Sequence, residues 1–140
     1  MKYKCLEPEV AGELGSQTIM DNSIHPPLVK KLHYQFSGWL GDDILESFPC
    51  YIITKKLEDH INLSNFTGVK FDDLIVTKGE TFVEMNPDID LPEFKWMQVT
   101  GQAGVHDFGL AKDFRLVISN NVFDLLSNFN IAHCDFEEWN

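Results

Sequence analysis

Twice in this chain a short apolar run ends in a hydroxyl side chain and passes directly into a helical pattern. Tyr51-Ile52-Ile53-Thr54 leads into residues 55–64, where Leu57 and Ile61 stand at i and i+4. Leu116-Val117-Ile118-Ser119 leads into residues 120–128, with Val122, Leu125 and Leu126 inward. A Thr or Ser at such a junction caps a helix by accepting a backbone N–H of the first turn. The i, i+4 spacing then buries one stripe of the helix. Thr54 and Ser119, Leu57 and Val122, Asp59 and Asp124, and Ile61 and Leu126 all match at one offset of 65 residues. A returning strand is predicted over residues 69–76 after the first helix and over 131–134 after the second. The pattern therefore predicts two strand–helix–strand units. Chance recurrence of good capping chemistry is the alternative.

The rest of the chain fits around these units. Residues 1–6 read as a short strand. Residues 7–30 read as loop, since Gly, Asn, Asp and the Pro26-Pro27 pair interrupt any regular pattern. Leu32, Tyr34 and Phe36 alternate, as does Phe94-Lys95-Trp96-Met97-Gln98-Val99, and both read as strands. Residues 38–43 and 101–104 read as turns, and residues 81–85 fit helix or strand equally. The expected fold is a single α+β domain over residues 1–140. It has an irregular segment at 1–30, a core at 31–140, and a mixed or mostly antiparallel sheet carrying two or three packed helices. Eleven Phe, three Trp and three Tyr are enough to fill such a core.

Charge narrows the function. The net charge is −11. Residues 79–140 hold eleven acids and three bases, a net of −8, against eleven acids and eight bases, a net of −3, in residues 1–78. Such a balance argues against nucleic acid and against anionic membranes. It suits a basic protein partner. No long apolar run or leader-like start is evident, so a cytoplasmic protein is expected, with Cys5, Cys50 and Cys134 as reduced thiols.

No motif specifies catalysis. Asp107-Phe108-Gly109 spells the metal-binding turn of protein kinases, but the Gly-rich loop, strand lysine and catalytic-loop residues are missing. His106-Asp107 resembles paired metal ligands of phosphohydrolases, yet His25, His33, His60 and His133 offer no HxxxH or HxH partner. His133 and Cys134, as neighbours on a strand, would face opposite sides. No metal and no cofactor are expected.

Two segments suit a binding surface. In Trp39-Leu40-Gly41-Asp42-Asp43-Ile44-Leu45-Glu46 the adjacent carboxylates repel one another and are expected to be exposed beside an aromatic anchor. The competing reading is a helix N-terminus, where the same carboxylates offset the dipole. At the C-terminus Asp135, Glu137 and Glu138 interleave with Phe136 and Trp139, which suits capture of Lys or Arg. A solvated tail with tucked aromatics is the alternative there. The contact candidates are Trp39, Asp42, Asp43, Glu46, Asp107, Glu137, Glu138 and Trp139.

Gly41-Asp42-Asp43-Ile44-Leu45-Glu46-Ser47 with Pro49-Cys50-Tyr51-Ile52-Ile53-Thr54 carries a family resemblance. So does Gly101-Gln102-Ala103-Gly104-Val105-His106-Asp107-Phe108-Gly109 with Leu116-Val117-Ile118-Ser119. Over residues 31–135 the chain resembles the small bacterial immunity proteins of polymorphic-toxin and contact-inhibition systems. The resemblance implies an acidic cytoplasmic domain that binds a cognate toxin and blocks its active site. It assigns no role to any residue. A small hydrolase-like enzyme using Asp43, Glu46 or Asp107 with His106 is the rival. An assembly module built on exposed aromatics is a third reading.

Overall fold

The computed structural model describes residues 2–140. The N-terminal third carries β1 (Tyr3–Glu7), β2 (Gly12–Leu14), β3 (Ile19–Asp21), β4 (Leu28–Lys31) and β5 (His33–Phe36). The middle holds β6 (Ile44–Ser47), β7 (Cys50–Thr54), α1 (Lys55–Ser64), β8 (Val69–Asp72), β9 (Ile75–Lys78), α2 (Glu80–Met85) and β10 (Phe94–Val99). The last third holds β11 (Phe108–Leu110), β12 (Leu116–Ser119), α3 (Asn120–Leu126) and β13 (Asp135–Trp139). The fold is α+β, with mostly antiparallel strands divided among four small sheets. The one parallel pairing between these strands joins β5 to β9.

Both capped helices form where the residue types place them. Thr54 accepts the Leu57 N–H and Ser119 accepts the Val122 N–H. Leu57, Ile61, Val122 and Leu126 are all buried. The internal echo reaches further than strand, helix and strand. One sheet has the order β6-β7-β10-β8 and the other β11-β12-β1-β13. In each, a hairpin leads into the capped helix and the strand after that helix becomes the far edge. The registers agree too: Phe94 faces Thr54 as Tyr3 faces Ser119, and Ile44 faces Ile53 as Phe108 faces Ile118. The strand that takes the place of β10 in the second sheet is β1, more than a hundred residues upstream, so the second unit closes only when β1 inserts between β12 and β13.

The core follows from strand alternation. Ile44, Tyr51, Ile53 and Met97 face a cluster shared with α1, α3, Leu6, Phe108, Leu116 and Ile118. Leu45, Cys50, Ile52, Phe94 and Trp96 point the other way, against Tyr34, Phe36 and Phe82. The β6-β7-β10-β8 sheet is thus covered on both faces. Tyr3, Cys5 and Val117 form a smaller cluster on the outer face of the other sheet.

Several expectations need correction. Residues 7–30 contain β2, β3 and most of β4 in addition to loop. These strands have few buried positions, so hydrophobic alternation does not mark them. The strand expected over 69–76 is broken at residues 73–74 into β8 and β9, which join different sheets. Residues 131–134 are turn; the returning strand is Asp135–Trp139, whose mainly exposed side chains gave no apolar signal. Residues 80–85 are helical. Asp107-Phe108-Gly109 enters strand β11, where a Cβ on Gly109 would lie 2.1 Å from the Ala103 amide nitrogen. Glycine is required there by close backbone approach.

Candidate functional site

Gly41 adopts φ +105°, a conformation open to glycine, and turns the chain inward. Asp42 and Asp43 therefore leave solvent: Asp42 is 0% and Asp43 4% exposed. This corrects the expected exposed pair, and it also removes the helix-terminus reading, since Ile44–Ser47 is a strand. Buried carboxylates need hydrogen-bond partners, and the fold supplies them. Asp43 Oδ1 accepts the Thr54 hydroxyl at 2.9 Å, and Oδ2 accepts the Asn130 N–H at 2.8 Å. Asp42 Oδ2 accepts the His133 N–H at 2.9 Å, while His133 Nδ1 lies 2.9 Å from Oδ1. Neither aspartate is free to meet a partner.

Asp107 repeats the arrangement of Asp43. Its Oδ1 accepts the Ser119 hydroxyl at 2.8 Å, and its Oδ2 accepts the Thr67 N–H at 2.9 Å. His106 Nδ1 accepts the Gln102 N–H at 2.9 Å. The rival acid–base set is thus held in separate structural contacts. Glu46 is half-buried, and burial, with the charge of Glu7 adding to it, holds its carboxyl above the ordinary range.

Trp39 donates from Nε1 to the Asp42 carbonyl at 2.9 Å and packs edge-on against Phe94. Its remaining surface lines a groove of about 680 Å³ together with Lys55, Lys56, Asp90, Leu91 and Glu93. The C-terminal candidates lie elsewhere, on β13. That strand is the free edge of its sheet, bonded to β1 on one side. Phe136 is 54% exposed, and Asp135, Glu137 and Glu138 are exposed on the same strand. Glu137 pairs with Arg115 at 2.8 Å and Glu138 with Lys4. Trp139 is half-buried, edge-on to Tyr3. The eight candidates therefore divide between inward structural residues, a groove and an acidic strand edge.

Local spacing missed one cluster. Glu9, Asp42 and His133 each offer a ligand-type atom, all within 4.8 Å of one another. They come from the segment after β1, the loop after β5 and the turn after α3, so no sequence spacing joins them. Burial raises the Glu9 carboxyl above its usual range, and the nearby Asp42 charge adds to this against the Leu40 amide.

No protein-family model, curated protein or solved structure was found to match this chain.

Proposed function

We propose that this chain is an immunity-type protein that binds a cognate bacterial toxin domain of basic character and occludes its active site without turnover. The observation that carries this reading is the β13 edge. Its two faces present three exposed carboxylates, two of them paired with Lys4 and Arg115, and an exposed Phe136, on a protein of net charge −11. A free strand edge also offers unpaired backbone groups to an extended segment of the partner. Acidic side chains there deter edge pairing between copies of this chain. They attract a basic partner and speed its association. The resemblance over residues 31–135 supports the same role. Glu137, Glu138 and Trp139 are retained as contact residues, with Trp39 on a separate groove, while Asp42 and Asp43 are withdrawn.

The test is co-expression with a basic toxin domain encoded beside this chain. Co-purification and relief of growth arrest are expected. Growth arrest that persists with this chain present at equal or higher level contradicts the proposal.

A further inference from the structure

The Glu9–Asp42–His133 cluster has an imbalance that its own hydrogen bonds do not remove. Each carboxylate is oriented by a backbone amide: Leu40 N–H donates to Glu9 Oε2 and His133 N–H to Asp42 Oδ2, both at 2.9 Å. Each then has a second oxygen to account for. Asp42 Oδ1 meets His133 Nδ1. Glu9 Oε1 is buried and has no hydrogen-bond partner among the described residues, on a residue only 7% exposed. The Asp42 amide lies near this carboxylate without closing a bond to Oε1. A buried carboxylate oxygen with nothing to bind is costly. Two buried carboxyl groups share a single imidazole.

We propose that Glu9, Asp42 and His133 form a binding site for one divalent transition-metal cation of the Zn²⁺ type. Glu9 Oε1, Asp42 Oδ1 and His133 Nδ1 are the ligands. A 2+ ion neutralises both carboxylates and gives Oε1 its partner. His133 then binds as neutral imidazole, with its proton on Nε2. An imidazole among the ligands favours zinc-like ions over Mg²⁺ or Ca²⁺, which prefer oxygen alone. The amides on Oε2 and Oδ2 act as the outer contacts that fix metal-binding carboxylates. Ligand bonds of about 2.0–2.2 Å place tetrahedral ligands roughly 3.3 Å apart. One ligand-type atom of each residue already lies within 4.8 Å of the other two, so the closure needed is small. The His133 side chain, 43% exposed, has room to make that movement and leaves the fourth position to water. The ion would clasp three segments remote in sequence and hold the Trp39–Asp43 loop to the turn after α3. This site does not depend on the proposed toxin partner.

Titration of Zn²⁺ and of Co²⁺ into chelator-treated full-length protein tests the assignment. One equivalent should bind, Co²⁺ should give visible bands of low coordination number, and Zn²⁺ should raise the melting temperature. His133→Ala should weaken binding by more than the roughly 10–100-fold expected for loss of an outer contact. Glu9→Gln should do the same. His60→Ala, which removes an exposed histidine on α1, should leave binding unchanged. Absence of saturable binding in the wild-type protein overturns the site. So does affinity unaltered in His133→Ala, a change at a half-exposed position whose folding is checked by circular dichroism beside the wild type.

Discussion

Asp43 and Thr54 are joined twice, side chain to side chain at 2.9 Å and Thr54 N–H to Asp43 carbonyl at 3.0 Å. Asp107 and Ser119 are joined in the same two ways, both at 2.8 Å. In each unit one hydroxyl donates to the aspartate and accepts from the helix, so a single side chain ties the hairpin's entry to the helix start. Thr54→Ala should cost about 1–2 kcal/mol for the cap, with a further contribution from the buried carboxylate it leaves short of a partner. Thr54→Ser should recover most of the loss. Urea unfolding of the three proteins checks this. A Thr54→Ala loss below about 0.5 kcal/mol contradicts it.

The two aspartates differ in burial, and the matching substitutions should differ accordingly. Asp43 is 4% exposed, whereas Asp107 lies nearer the surface. Asp43→Asn keeps one acceptor oxygen and sets its NH₂ against the donor from either Thr54 or Asn130, so it should destabilise by about 2–3 kcal/mol. Asp107→Asn should cost less, since water can replace lost bonds. Paired denaturation curves decide the order, and equal losses count against the argument.

Glu46 supplies a pH-dependent term. Its carboxyl titrates above the ordinary range in the folded protein because of burial and Glu7. Its ionisation therefore weighs against the folded state. The penalty is absent below the unfolded value of about 4.3 and complete once pH exceeds the raised folded value. Glu46→Gln should be more stable than wild type at neutral pH and lose that advantage in acid. Thermal melts across pH test the sign, and a destabilised variant at neutral pH contradicts it.

The thiols should be silent in the native protein. Burial pushes the Cys50 and Cys134 thiols up to about 12 and raises Cys5 as well. Thiolate is the reactive form. Alkylation at about pH 8 should modify none of the three until denaturant is added, and then all three. Native labelling of Cys50 runs against this expectation.

Helix-forming segments and buried strands were legible because each carries its own local signal. Thr54 and Ser119 mark helix starts, and Leu57 with Ile61, or Val122 with Leu126, mark the buried stripe. Local signals do not place β13, because Asp135, Glu137 and Glu138 face solvent and its pairing is set by β1, more than a hundred residues away. Asp42 and Asp43 look like surface residues by composition. Their burial depends on Asn130 and His133, reached only through the tertiary fold. Glu9 joins that cluster for the same reason. The acidic strip at 135–139 was legible as a candidate since charge and aromatic content are local properties.

The proposed recognition of a basic toxin domain through the acidic β13 edge is most directly tested by association kinetics across ionic strength. Wild-type protein should associate fast at low salt and slow steeply as salt rises. Glu137→Lys with Glu138→Lys should associate about tenfold or more slowly and lose most of the salt dependence. Association that is insensitive to salt, or identical in the double variant, would contradict the account.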